Sequence, residues 1–251
     1  MSSTLESLKT KLLEDGYGRY EQKQTCVHFT QIDEANLLIN DLENNPHAYV
    51  IGCIMDRQIK AERALEIPWH LKQRLGYFDF KKLSSTPPGK IKKAMFKPEA
   101  LHRFNNDMTV NFVEAIAKIK RDYNGHAAYI WSDRPSSAAI VRRFLEFKGV
   151  GQKIATMATN ILVRDFKINV SDKYSIDISV DVHIKRVLSR MGFIVDGDSH
   201  EYIVFKAREM NPDYPGVFDL ILWELGREVC TSSDPKCDQC NYSSFCATYI
   251  G

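Results

Sequence analysis

Apolar side chains recur every three or four positions along most of the chain, which is the period of an amphipathic helix. No stretch repeats another, and no polar linker clearly divides the chain in two. We therefore expect an all-α protein. The clearest helical segments are EANLLINDLEN (34–44), NFVEAIAKIKRDY (111–123), SSAAIVRRFLEF (136–147), VHIKRVLSRMG (182–192), EYIVFKAREM (201–210) and FDLILWELGREVC (218–230).

Four local features refine this pattern. Residues 47–67 are apolar on much of the helical circumference, which predicts a helix central to the core, with Pro68 marking its end or the start of the next helix. Asp33 is suited to cap the helix that follows it. Residues 83–95 contain two prolines and a glycine in succession, which predicts a loop. In residues 166–179 β-branched and polar residues alternate, so that we expect an extended segment or a short hairpin.

Composition and charge narrow the class of protein. With 44% hydrophobic and 26% charged residues, the 251-residue chain is ordinary for a globular protein. It has no apolar run of about 18 residues, so we expect a cytoplasmic monomer with no membrane attachment. The net charge of +2 indicates no particular partner. Residues 140–190 hold ten basic and five acidic side chains, an excess that suits phosphate binding or a solvated helix face equally.

A glycine turn interrupts the helical pattern at Gly149-Val150-Gly151. Two glycines around one apolar residue permit a tight turn between helices, with Val150 packed in the groove between them. Backbone N–H groups of such a turn, next to a helix N-terminus, are suited to bind a phosphate oxygen. The other interpretation is an ordinary helix–helix connection without a ligand.

Four of the six cysteines lie within the last 22 residues. Their spacing is Cys230-x6-Cys237-x2-Cys240-x5-Cys246. In a chain expected inside the cell, this cluster favours a metal site over disulfides. Four thiolates suit either tetrahedral zinc or an iron–sulfur cluster.

Three motifs in order, GVGQKIA (149–155), VDVHIKRV (180–187) and the four cysteines, resemble the endonuclease III-like branch of the helix–hairpin–helix (HhH-GPD) DNA glycosylase superfamily. A weaker fourth match is IGCIMDRQ at 51–58. The resemblance covers the chain from about residue 45 to its end. It implies a six-helix barrel of residues 45–165 that ends in the hairpin, and a second lobe of residues 1–44 and 166–251.

The resemblance also implies roles for particular residues. Lys153 would be the nucleophile and Asp181 the catalytic carboxylate, while the four cysteines, Cys230, Cys237, Cys240 and Cys246, would hold a [4Fe–4S] cluster. Gln58 would fill the gap left by an extruded base, and Gly149, Val150 and Gly151 would contact the DNA backbone.

The chemistry explains why a lysine and an aspartate are needed together. Breaking an N-glycosidic bond builds positive charge on the sugar, which a nearby carboxylate stabilises. An amine that attacks C1′ forms a Schiff base and permits elimination of the 3′ phosphate. Both residues also have purely structural interpretations, since Lys153 can contact phosphate from the first turn of a helix and Asp181 can cap the next helix.

One residue and two segments depart from the pattern of that family. Lys148 stands where the family usually has proline, and the loop TSSDPK (231–236) has a single basic residue. The stretch between Lys153 and Asp181 is longer than usual, beside the expected active site, where it is expected to alter substrate choice.

The resulting expectation is an enzyme that acts on double-stranded DNA containing a damaged or mismatched base. It would be a base-excision glycosylase with abasic-site lyase activity, most simply for an oxidised pyrimidine. One alternative is a monofunctional glycosylase for uracil, mismatched thymine or an alkylated purine. The other is a non-catalytic iron–sulfur DNA-binding protein.

Overall fold

The computed structural model describes residues 3–250, and over that range the chain forms helices and no strands. The prediction of an all-α protein is confirmed. The α-helices are α1 Ser3–Glu21, α2 Asp33–Asn40, α3 Pro46–Met55, α4 Ala61–Leu75, α5 Phe80–Leu83, α6 Pro88–Phe96, α7 Asn105–Asp122, α8 Ser137–Leu145, α9 Gln152–Arg164, α10 Val182–Met191, α11 His200–Met210, α12 Asp219–Glu228 and α13 Ala247–Ile250.

The buried apolar side chains form two separate cores. The first core contains side chains from α2 to α9, ending at Leu162, and the second contains side chains of α1, α10, α11 and α12 together with Val163. Helix α9 therefore passes from one core to the other. Leu38 and Ile39 pack in the first core although they precede residue 45. The domain boundaries drawn from the sequence stay a prediction.

The segment 47–67 is not one helix, so that part of the sequence prediction is wrong. Helix α3 ends at Met55, α4 begins at Ala61, and Pro68 lies inside α4. The break follows from the backbone at Gln58, whose φ of 56° is left-handed and incompatible with a continuing α-helix. All of α3 is buried, whereas residues 57, 58 and 60 are exposed, so the chain leaves the core at this break.

Two further local predictions are corrected by the structure. Part of the predicted loop at 83–95 is helix α6, which begins at Pro88, because the fixed φ and missing N–H of proline suit the first turn of a helix. Asp33 does not cap α2. It lies inside the first turn, and the N-cap position is Ile32, which makes no side-chain capping bond.

Residues 166–179 form an irregular connection between α9 and α10, and no hairpin is present there. The connection is attached to both halves of the chain. The backbone N–H of Ser171 donates to the carbonyl oxygen of Pro135, just before α8, at 3.0 Å. Arg208 on α11 donates two hydrogen bonds, of 2.7 and 2.8 Å, to the buried carboxylate of Asp177. The segment thus links the two cores on its way to Asp181.

Candidate active site

The glycine turn joins α8 to α9 as a tight hairpin. Gly149 has a φ of +85°, which a side chain rarely adopts, and a Cβ there would lie 2.2 Å from Nδ2 of the buried Asn111. The side chain of Val150 packs against the first core, as expected from the sequence. Its N–H donates to the carbonyl oxygen of Phe147 at 3.1 Å and is therefore not available to a ligand. The hairpin offers outward donors only at its other positions, next to Gly151, the N-cap of α9.

Lys153 lies in the first turn of α9, directly after this hairpin. Its side chain is exposed. Within the described part of the chain, its ammonium group takes part in no hydrogen bond and no ion pair, whereas many other lysines are engaged with carboxylates or rings. An unpaired ammonium at a helix N-terminus opposes the helix dipole.

Asp181 is the N-cap of α10, so its structural interpretation is correct. Its Oδ1 atom accepts hydrogen bonds from the backbone N–H groups of His183 and Ile184, both at 2.9 Å. Both bonds use the same oxygen. In the described residues no group bonds to Oδ2, which leaves one carboxylate oxygen for another partner while the cap holds the side chain in a fixed orientation.

Two shielded carboxyls, Asp56 and Asp219, connect Lys153 with Asp181. Burial raises the pKa of Asp56, and the positive charge of Lys153 is the largest effect that opposes it, while the negative charge of Asp181 adds to the rise. Burial likewise raises the pKa of Asp219, against the hydrogen bond from Ser179 and the charge of Arg164. The charges of Asp181 and Lys153 make smaller contributions, which raise and lower this pKa respectively. Since each of the two groups acts on both carboxyls, the ammonium and the carboxylate lie in one neighbourhood.

Asp219 is the more deeply buried of these carboxyls, with 9% of its surface exposed. It begins α12, and its Oδ1 atom accepts a hydrogen bond from the backbone N–H of Ser179. The hydroxyl of Ser179 is also buried, and no group of residues 3–250 bonds to it. Asp56 follows the last residue of α3, where its N–H donates to the carbonyl oxygen of Cys53.

Neither shielded carboxyl was identified from the sequence. Each is a single aspartate at the end of an apolar run, CIMD or GVFD, and such residues usually cap or end helices. The one sequence signal for a shielded carboxyl at these positions is a single charged residue directly after an apolar run. Their approach to Lys153 depends on how α3, α9 and α12 pack together.

Gln58 occupies the loop between α3 and α4, close to Asp56. Its side chain is exposed, and its carbonyl oxygen accepts a hydrogen bond of 3.4 Å from Arg103. The left-handed φ at this position projects the residue from the end of a fully buried helix. Gln58, Asp56 and Lys153 therefore belong to the same part of the surface.

Four aromatic side chains are large enough to stack on a DNA base, but they mainly pack in the first core: Trp69, Tyr77, Phe78 and Trp131. Phe78 and Trp131 are 2% and 3% exposed, and Trp69 and Tyr77 pack against the same core while partly exposed. This agrees with the core interpretation of all four. The base-binding surface is not defined by them.

The four terminal cysteines line one apolar cavity of about 150 Å³ beside α10 and α12. Arg190 on α10 holds this segment, because it donates to the sulfur of Cys230 at 3.4 Å and to the carbonyl oxygen of Thr231 at 2.7 Å. The thiol of Cys246 in turn donates to the carbonyl oxygen of Arg190 at 3.4 Å. The last segment of the chain is thus tied to the helix that Asp181 caps.

Two kinds of metal group suit four cysteines, and they differ in the arrangement of sulfur atoms that they need. Among the described residues, no three histidine, cysteine or acidic side chains converge closely enough to hold a single metal ion. A zinc ion needs four ligands within about 2.3 Å of one point. In a [4Fe–4S] cluster each thiolate binds a different iron, so the four sulfurs surround a volume instead of meeting at a point. Four cysteines around an apolar cavity fit the cluster better than zinc.

A larger groove, of about 420 Å³, lies between α1, α12 and the cysteine segment. Its walls include Glu14, Asp15, Glu224 and Glu228 against one arginine, Arg19. This concentration of negative charge disfavours a phosphate ligand. The groove therefore has no part in the Lys153 site.

None of the helices in the described part of the chain is both long and apolar enough to cross a membrane.

Known proteins resemble this chain in sequence over part of its length and in fold over nearly all of it. No family model matches the chain. Over 113 residues it is 30% identical to an endonuclease III of Sulfolobus acidocaldarius, a match that spans 44% of this chain and 46% of that protein. The chain therefore matches less than half the length of this relative.

Solved structures match over nearly the whole chain. A non-covalent endonuclease III–DNA complex superposes with a TM-score of 0.65 at 15% identity, covering 98% of this chain and 96% of that one. A thermostable thymine-DNA glycosylase superposes with a TM-score of 0.64 at 18% identity, covering 97% of each chain. At such identities the likeness establishes the fold.

Proposed function

We propose, from the premise that this chain has the fold of the endonuclease III-like helix–hairpin–helix DNA glycosylases, that it is a base-excision DNA glycosylase with abasic-site lyase activity. One observation carries the proposal. Lys153 has an exposed, unpaired ammonium, and Asp181 has a free carboxylate oxygen, and both act on the same two shielded carboxyls. An amine and a carboxylate that act on the same pair of acidic groups supply the two functional groups this reaction needs.

Asp181 would stabilise the charge that develops on the sugar as the base departs. The α10 cap fixes the side chain through Oδ1, so that Oδ2 can face the sugar without loss of orientation. Preorganised charge of this kind needs no rearrangement during the reaction, which is why it lowers the barrier effectively.

Lys153 would be the nucleophile. Its neutral amine attacks C1′, and a bond from nitrogen to C1′ replaces the bond to the base, which leaves with the glycosidic electron pair and a proton. Opening of the sugar ring gives a protonated Schiff base. Loss of a proton from C2′ then breaks the C3′–O bond and releases the 3′ phosphate. Asp181 would accept the proton that the ammonium group must first lose.

DNA would lie in a cleft between a barrel lobe of residues 45–165 and a second lobe of residues 1–44 and 166–251. The hairpin backbone at Gly149 and Gly151 would contact a phosphate while Val150 anchors the turn in the first core, and Gln58 would enter the duplex where the target base has been flipped out. The protein would act as a monomer, and we expect an oxidised pyrimidine as the base removed.

Cys230, Cys237, Cys240 and Cys246 would hold a [4Fe–4S] cluster. Bound there, the cluster would supply a rigid link between the chain end and the second core. Arg190 would connect it with α10, and so with the position of Asp181. We assign it no step of the reaction.

A panel of duplex oligonucleotides tests the proposed function. Each carries one altered base (an oxidised pyrimidine, uracil, a mismatched thymine or an alkylated purine), and each is scored for base release and for strand scission without alkali. We expect release with scission from one class, and its loss in Asp181→Asn, which retains an oxygen for the α10 cap. Asp196→Asn, a change at an exposed carboxylate, is the matched control.

The alternatives predict different results in the same panel. Base release without scission would identify a monofunctional glycosylase. Binding to duplex DNA with no base released from any substrate would contradict the glycosylase and leave a DNA-binding protein.

A further inference from the structure

We propose that a lysine face on α5 and α6 binds the phosphate backbone of duplex DNA next to the site where the base is removed. This inference rests on the proposed function, because it assigns a second contact to the same DNA. The lysine face consists of Lys81, Lys82, Lys90, Lys92, Lys93 and Lys97, and all six are exposed.

The charge of the chain is strongly segregated. Residues 80–98 contain these six lysines and no acidic residue, so the remainder has 28 basic and 32 acidic side chains. The hairpin region 140–190 accounts for another excess of five positive charges. The rest of the chain has 18 basic and 27 acidic residues. Positive charge is therefore concentrated in the hairpin region and the lysine face.

Few acidic groups neutralise the lysine face. Of its six members, only Lys82 forms an ion pair within the described structure, with Asp79 at 3.5 Å. Asp79 is also occupied in capping α5, since it accepts a bond from the backbone N–H of Lys82. An uncompensated set of ammonium groups is the usual electrostatic footprint of a polyanion site.

Two of the lysines converge on one aromatic ring. The ammonium of Lys90 lies 4.9 Å from the centre of the Tyr77 ring, and that of Lys82 lies 5.7 Å from it. Lys90 also donates to the Tyr77 hydroxyl at 3.3 Å, and this hydroxyl shares a 2.8 Å bond with Thr86. The ring and its hydroxyl thus place two positive charges around one partly exposed aromatic side chain.

The lysine face leads to the candidate active site through a series of direct contacts. The carbonyl oxygen of Met95, near the end of α6, accepts bonds from the backbone N–H of Leu101 at 3.0 Å and from the Asn105 side chain at 2.8 Å. The next residue in this loop, His102, bonds to the carbonyl oxygen of Met55 at the end of α3, at 3.2 Å.

The end of α3 is also the start of the candidate site. Asp56 and Gln58 follow it directly, and Arg103 reaches the carbonyl oxygen of Gln58. The 97–104 loop therefore joins the C-terminal end of α6 to the end of α3, whereas α5 lies at the opposite end of α3, where Phe78 and Phe80 contact His47. A duplex positioned with one nucleotide at Lys153 extends well beyond that nucleotide, since it rises about 3.4 Å per base pair.

The chemistry favours duplex phosphate as the occupant. Ammonium groups are point charges that attract phosphate without reading base sequence, which suits an enzyme that scans undamaged DNA. Apart from Tyr77, whose hydroxyl is engaged, the lysine face offers few ring surfaces for stacking unpaired bases. A single-stranded nucleic acid or an acidic protein segment is therefore a less suitable partner.

A comparison of two triple variants tests this inference. Lys90→Gln, Lys92→Gln and Lys93→Gln together remove three charges from α6, and glutamine has a helix propensity close to that of lysine. The matched control makes the same change at Lys9, Lys23 and Lys120, which lie on α1, after α1 and on α7. Both triples change the net charge equally, and thermal melting by circular dichroism checks that both are folded.

The measurement is the Kd for an undamaged duplex of about 30 base pairs, roughly three turns, over a range of salt concentrations. Each phosphate contact contributes about 0.9 to the slope of log K against log salt, so the α6 triple should lower that slope by about two to three. At low salt its Kd should rise at least about tenfold, and the curves should converge at high salt. The control triple should follow the unmodified protein closely.

The other outcomes are distinguishable. If both triples give the same slope and Kd while the unmodified protein binds duplex, the lysine face makes no DNA contact and this inference alone fails. If the α6 triple loses binding to single-stranded DNA but not to duplex, the inference is also overturned. If the unmodified protein does not bind duplex DNA at all, the proposed function fails with it.

Discussion

Asp219 accepts a hydrogen bond of 2.5 Å from the backbone N–H of Ser179, two residues before Asp181. The segment before Asp181 has no helix or strand to hold it, so this bond ties the approach to Asp181 to the first turn of α12. Asp219 therefore acts in this account as a positioning residue. It contributes to the reaction through the placement of Asp181 and has no direct contact with the sugar.

The hydrogen bond and the charge of Asp219 can be separated by two substitutions. Asp219→Asn keeps an oxygen that accepts the Ser179 bond, whereas Asp219→Ala removes it. A misplacement of about 1 Å can cost on the order of a hundredfold in rate. We expect the single-turnover rate of base release to fall about 10- to 100-fold in Asp219→Ala and much less in Asp219→Asn, with DNA affinity unchanged in both.

Equal losses of rate in these two variants would argue against positioning through the bond. A loss of DNA affinity in step with the rate would indicate that Asp219→Ala has disturbed the fold instead. In that case Asp219→Asn, the conservative variant, should restore both the rate of base release and the DNA affinity.

The raised pKa of Asp219 also predicts a pH dependence of stability. Burial raises this pKa, so the folded chain still holds the proton at pH values where the unfolded chain has released it. The free energy of unfolding must then fall as pH rises from the ordinary range of a carboxyl through the raised value. Asp219→Asn has no such proton and should show a shallower fall over that interval in urea titrations.

A surface carboxyl provides the control with the opposite sign. A hydrogen bond from Arg143 lowers the pKa of Asp133, so this group stabilises the fold above its ordinary range and loses that contribution as pH falls through the lowered value. Asp133→Asn should therefore weaken the fold at neutral pH relative to acid. The same slope in both variants would contradict the assignment.

The sequence was sufficient for the residues that lie inside compact motifs. Lys153 and Asp181 are candidates because they stand in short motifs, beside a glycine turn and a helix start, that resemble a known family, whereas local pattern alone also allows structural roles for both. Asp56 and Asp219 could not be found in this way, because their shielding depends on the packing of helices distant in sequence. A lone aspartate beside an apolar run is more often an ordinary helix end.

The same distinction explains the errors in the helix boundaries. Nothing in the residues around Gln58 breaks a helix, and the break arises because the chain leaves the core there with a left-handed backbone. The adjacent prolines Pro87 and Pro88 indicated a loop, but Pro87 occupies the N-cap position of α6 and Pro88 is its first residue. Periodicity identifies which segments are helical, while their ends are decided by tertiary contacts.

The hairpin glycine should be essential for stability. Gly149→Ala combines an unfavourable positive φ with a Cβ that would lie 2.2 Å from Asn111, so we expect a loss of about 2–4 kcal/mol in the free energy of unfolding. Gly151→Ser is the matched control, because nothing lies within 4 Å of its Cβ position and serine is a good N-cap. Similar urea midpoints for the two variants would contradict this account of the turn.

The cysteine cavity makes a prediction that does not depend on activity. Anaerobically purified protein should contain about four iron and four sulfide per chain, with visible absorbance that Cys237→Ser reduces together with the melting temperature. Cys26→Ser is the control, because Cys26 lies far from the cavity in sequence and does not line it. A colourless protein that binds one zinc would overturn the cluster assignment.

The central claim is that the amine of Lys153 forms the covalent link to DNA, and borohydride trapping on a duplex with an abasic site measures this directly. This duplex already lacks the base, so the assay does not depend on which base the protein removes. The account predicts a covalent adduct with the unmodified protein and with Lys148→Ala, an exposed lysine of the same hairpin, and none with Lys153→Ala. An adduct of equal yield from Lys153→Ala, or no adduct from the unmodified protein, would contradict it.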